Sequence, residues 1–70
     1  MGRQAMRLKI YKTSGPKMEQ VEVGFINEDG TTEPADDPLL NGLVSEHSSV
    51  AEIHSTYGRC TAIRSERTDA

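Results

Sequence analysis

In "MRLKIY" apolar and polar residues alternate, with Met6, Leu8 and Ile10 on one side and Arg7, Lys9 and Tyr11 on the other. A two-residue period is the mark of a half-buried β-strand, because successive side chains leave opposite faces of the backbone. Ser14, Gly15 and Pro16 follow with turn chemistry. "EQVEVGFI" then resumes the alternation, with Val21, Val23 and Phe25 opposed to Gln20, Glu22 and Gly24. Two such runs around one turn predict an antiparallel β-hairpin over about 6–12 and 19–26. In that pairing Arg7 and Lys9 lie across from Glu22 and Gln20, and facing opposite charges contribute roughly 0.2–1 kcal/mol per pair.

Beyond Ile26 the period breaks. "NEDGTTEPADDP" carries the turn pair Asp29-Gly30 and the start of a third short strand at Thr31 and Thr32, which Pro34 keeps from running far. Most of residues 27–37 reads as an acidic loop. "DPLLNGLV" opens a helix: Asp37 can cap, Pro38 suits the first helical position, and Leu39, Leu40, Leu43 and Val44 share one face. Gly42 costs this helix about 1 kcal/mol relative to Ala, so a short element over about 38–45 is expected.

The stretch "EHSSVAEIHSTYGRC" has two readings. Ser49 and Glu52 form a capping box that starts a helix over about 50–57, with Val50, Ile53 and Tyr57 as its buried stripe and Gly58 as its stop. Alternatively Gly58-Arg59 is the turn of a second hairpin, which the poor helix formers Ser55 and Thr56 favour. The helix is preferred, followed by a strand in "CTAIR" over 60–64. "SERTDA" lacks an apolar pattern and reads as a frayed tail. The fold class expected is α+β: residues 1–5 a leader, 6–65 one small domain and 66–70 a tail, with a mainly β chain as the alternative. Met6 is a second possible start, and Gly2 is no myristoylation signal because Met6 stands where Ser or Thr is wanted.

Composition narrows the function classes. The chain has 70 residues, 34% hydrophobic and 4% aromatic, with no Trp and Phe25 as its lone Phe. A core of this size rarely supplies more than ~3–5 kcal/mol, so a partner or a second copy would help it. Cys60 stands alone, so no disulfide forms within the chain, and a reducing, cytoplasmic setting is expected. No apolar run approaches a membrane span or a secretory signal, so no membrane association is expected. The net charge of −3 is unevenly spread. Arg3, Arg7, Lys9, Lys12 and Lys17 open the chain without an acid, whereas Glu19 to His54 holds nine acids and no Lys or Arg.

Each candidate chemistry meets an obstacle. His47, His54 and Cys60 could ligate zinc, but their H-x6-H-x5-C spacing contains no close ligand pair of the structural-zinc kind. Cys60 with His54 could be a nucleophile and base, yet so small a domain has little wall for a substrate pocket. The acidic loop fails the EF-hand register, since placing Gly30 at its sixth position puts Phe25 at the first. Arg7, Lys9, Tyr11, Lys12 and Lys17 could contact nucleic acid, against an isoelectric point of about 5.2 and an acidic neighbouring strand. An acidic phosphate mimic built on Glu28, Asp29, Glu33, Asp36 and Asp37 ranks lower, because those residues sit in a loop.

What remains is a non-enzymatic protein-binding module, or an accessory or regulatory subunit, with no cofactor and with a protein partner or a second copy as its ligand. The opening strand offers an edge to extend, so Leu8, Ile10 and Tyr11, with Leu39, Leu43 and Val44 on the helix, are the expected contacts. Nucleic-acid binding through the basic N-terminal segment and a small metal site at His47, His54 and Cys60 are the alternatives.

Overall fold

Leu8 and Ile10, two residues apart, are both fully buried, as the alternation of the first strand requires. They lie on β1 (Leu8–Ser14), which pairs antiparallel with β2 (Glu19–Ile26). The computed structural model describes residues 6–59 and 62–68. Its other elements are β3 (Thr32–Glu33), α1 (Pro38–Glu46), α2 (Val50–Tyr57) and β4 (Ile63–Arg67). The four strands form one antiparallel sheet in the order β3-β2-β1-β4. Both helices share a core with its Leu8–Ile10–Ile26 face, giving the α+β class expected from the sequence.

The alternation of β2 changes phase partway. Ile10 pairs with Gly24 but Tyr11 pairs with Glu22, so β2 carries an extra residue, Val23, at a β-bulge. Val23 packs on the core, and Phe25 turns to the opposite face, where it meets Arg7 and Lys9. A strict period of two had placed Phe25 with Val21 and Val23. The bulge also aims Gly24 inward. A Cβ there would meet the backbone oxygen of Glu33 and come within 2.9 Å of Leu40 Cδ1, so the missing side chain is what lets α1 lie close on β2.

Both helices begin as their local chemistry dictates. Asp37 Oδ1 accepts from the amides of Leu39 at 2.9 Å and Leu40 at 3.1 Å, with Pro38 following it at the first helical position. Ser49 Oγ accepts from the amide of Glu52 at 3.1 Å, which settles residues 50–57 as helix rather than hairpin. Glu52 does not close an ideal capping box: its carboxylate takes the amide of Ser48, one residue before the cap, at 3.0 Å. Gly58 ends α2 in right-handed backbone geometry (φ −62°) rather than the left-handed conformation usual for such a stop. Leu40, Leu43, Val50 and Ile53 are the helices' buried residues and close the core over Leu8, Ile10 and Ile26.

The last strand lies further along than "CTAIR" suggests. It spans Ile63–Arg67, pairing Leu8 with Arg67 and Ile10 with Ser65. Thr68 then donates its amide to Arg7 O at 2.7 Å. Glu66 and Arg67, read as tail, therefore belong to the sheet. β1 in turn is an interior strand with neighbours on both sides, and not the free edge expected of it.

Candidate docking surface

β1 and β2 outrun everything packed against them. An eight-residue strand spans about 26 Å, whereas an eight-residue helix spans about 12 Å. Pairing of β4 with β1 stops at Lys12, followed by one bond from Thr13 N to Ala62 O at 2.9 Å. From Ser14 to Glu22 every residue is exposed, so the end of the hairpin projects as a β-finger. The molecule is accordingly long, 45 × 21 × 19 Å. Among the described residues the exposed large hydrophobics are Met18, 67% exposed, and Val21, 45% exposed, and both belong to the finger.

The tip of the finger is held tightly. Met18 donates its amide to Gly15 O at 3.0 Å, closing the turn. Gly15 has φ +78°, which glycine adopts freely, but Met18 has φ +55°. That left-handed conformation costs a residue with a Cβ roughly 1–2 kcal/mol. The finger therefore places its most exposed apolar side chain at a backbone position that disfavours it.

The residues expected to make contacts lie elsewhere. Leu8, Ile10 and Leu43 belong to the protein's own core, and Leu39 and Val44 are half-buried on α1. Tyr11 lies half-buried on the sheet face away from the helices, and its hydroxyl donates to Glu66 Oε1 at 3.2 Å. Arg7, Lys9 and Phe25 share that face. The Arg7 guanidinium stacks 4.0 Å from the Phe25 ring centre and bonds Glu33 at 2.8 Å, and Lys9 bonds Glu22 at 3.3 Å. Hydrogen bonding to Glu22, followed by that carboxylate's charge, holds the Lys9 ammonium above its ordinary pKa. The face combines cations with aromatics, as a nucleic-acid platform would, but Arg7 and Lys9 are each bound to a carboxylate. Lys12 and Lys17 lie exposed, Lys17 at the finger's turn.

The two histidines serve different parts of the fold. His47 Nδ1 lies 2.8 Å from Leu43 O, and since a carbonyl only accepts, that nitrogen carries the proton. Its ring meets Tyr57 edge-on at 5.4 Å, tying the end of α1 to the end of α2. His54 Nδ1 lies 2.8 Å from Ser65 Oγ. Ser65 is only 2% exposed, so this serine–histidine pair satisfies a polar group inside the core. Among the described residues no three His, Cys, Asp or Glu side chains gather to hold a metal ion, and Cys60 lies outside those residues.

A cleft of about 290 Å³ opens between the β2–β3 loop and the α1–α2 junction. Val44, Val50 and Ile53 provide its apolar walls, while Glu28, Asp29 and His47 provide polar ones. Asp29 Oδ1 accepts from the Thr31 hydroxyl at 2.7 Å and the Thr31 amide at 3.0 Å. These bonds, the hydroxyl's first, hold the Asp29 carboxyl below its usual pKa and fix the loop's negative charge.

No family model, curated protein or solved structure matches the chain. Sequence reading missed the finger because alternation looks the same whether or not a helix covers the strand. The signal that could have exposed it was a length mismatch: two long alternating runs against two short helical ones. Among the described residues no helix is long and apolar enough to cross a membrane.

Proposed function

We propose that the chain is a non-enzymatic protein-binding module, an accessory or regulatory subunit of the cytoplasm, that docks through its β-finger. The observation that carries this reading is the placement of Met18 and Val21, the exposed large hydrophobics, on a projection beyond the core. Apolar side chains singled out on a protruding element gain most by entering a partner's pocket, because burying one is worth about 1.5–3 kcal/mol. The turn supports the reading too: it holds Met18 at φ +55° at a cost in stability, which a role in contact would explain. A cytoplasmic setting rests on the lone Cys60. Nucleic-acid contact through Arg7 and Lys9 is the weaker reading, because Glu33 and Glu22 already neutralise them and would repel phosphate.

The test is capture of partners from the native cell by the full chain and by its Met18→Asp, Val21→Asp variant. Both sites are solvent-exposed, so the variant is expected to unfold at nearly the wild-type temperature while losing the specifically captured protein. An identical captured set for both forms would overturn the reading.

A further inference from the structure

The finger and the cleft are complementary, and they lie at opposite ends of the same strand. At the start of β2 is the turn that presents Lys17 and Met18; beyond its end is the loop that supplies Glu28 and Asp29 to the cleft. The eight residues between them span about 26 Å, so a finger does not reach the cleft of its own chain. The cleft has apolar walls of Val44, Val50 and Ile53 beside two carboxylates, and among the described residues no Lys or Arg lines it. His47 has its Nδ1 proton engaged by Leu43 O, which leaves the other ring nitrogen as an acceptor when the ring is neutral. Such walls suit an apolar side chain accompanied by an ammonium group. Lys17 and Met18 are that combination, adjacent and exposed.

We propose that the occupant of the cleft is the finger tip of a second copy of this chain, with Met18 on Val44 above the buried Val50 and Ile53 and Lys17 beside Glu28 and Asp29. This rests on the reading of the finger as a docking element and names its partner. Because the tip precedes β2 and the cleft loop follows it, two copies laid antiparallel bring both tips to both clefts. The contact then closes as a twofold dimer rather than growing into a filament. Each copy covers its exposed Met18, and the charge segregation seen along the sequence becomes attraction between chains.

Sedimentation equilibrium of the full chain, from about 10 μM to about 1 mM, tests the proposal. The wild type is expected to dimerise, and Met18→Asp to weaken the dimer at least about tenfold while leaving the thermal transition of the monomer in place. Lys17→Glu and Glu28→Lys should each weaken it about fivefold, and the two together should restore it, since the reversed pair attracts again. A wild type that stays monomeric throughout, a dimer indifferent to Met18→Asp, or a double charge reversal no better than either single one would each overturn the proposal. A monomeric wild type that still loses a captured protein on Met18→Asp, Val21→Asp would sink self-pairing and leave the docking reading standing. A dimer indifferent to Met18→Asp, with no captured protein lost, would sink both.

Discussion

Glu52 joins the start of α2 to the residue before its cap. The Ser48 amide, and secondarily the Ser48 hydroxyl and the charge of His47, hold its carboxyl below the usual 4.5. Asp29 is held below 3.8 by Thr31 in the same way. A carboxyl whose folded pKa is depressed contributes stability above its unfolded pKa and loses it as pH falls through the folded value. Both contributions are therefore expected in full at neutral pH and to fade below about pH 4.5. Lys9 has the opposite sense: its contribution holds below 10.5 and is lost as pH rises through a folded value above that. Glu52→Gln should lower the urea midpoint at pH 7, and its deficit relative to wild type should shrink steadily on acidification. A deficit independent of pH would mean that Ser48 does not stabilise the ionised form. The caps that position Glu52 and Asp37 were legible in the sequence, because capping uses neighbours within three residues. The bulge at Val23 went unread although its signal was there, since a lone glycine inside a strand pattern, here Gly24, commonly marks such a slip.

Among the elements, the finger is set apart because its local preferences and its sequence disagree. A turn with Met at φ +55° stores strain that glycine would release, less the greater chain entropy that glycine loses on folding. Met18→Gly is therefore expected to raise stability by several tenths of a kcal/mol, up to about 1 kcal/mol, while weakening docking. Chemical denaturation beside a binding measurement checks this. A variant both less stable and unchanged in binding would show that the turn is not strained and the side chain not used. Such an opposition is what separates a functional surface from a poorly chosen loop residue. The helices show the reverse: propensity, caps and apolar spacing agree, and α1 and α2 fall within a residue of the spans expected for them. The expected edge contacts failed on strand order. Whether "MRLKIY" is an edge or an interior strand depends on a segment more than fifty residues away.

That distant segment, β4, shows what holds the whole molecule together. After Ile63, which the expected strand included, Ser65 and the exposed Arg67 on the same face carry no apolar pattern, yet Ser65 is among the most buried residues because His54 satisfies its hydroxyl. A small polar residue there lets α2 sit against β4 while β1 fills the layer with Leu8 and Ile10. The first and last described segments are thus neighbours, with Thr68 bonded to Arg7. Two deletions follow opposite courses from this arrangement. Replacing residues 14–19 by a tight Asn-Gly turn removes exposed residues and no core side chain, so the cooperative transition should persist with a midpoint close to wild type. Truncation after Ala62 removes eight residues, leaves β1 unpaired on one side, exposes Leu8 and Ile10, and strips His54 of its partner. In a domain with only ~3–5 kcal/mol to lose, that is enough to abolish folding. Far-ultraviolet circular dichroism with a urea titration separates the outcomes. If the truncated chain unfolds as cooperatively as the one without its finger, β4 is peripheral and its pairing with β1 is not what stabilises this fold.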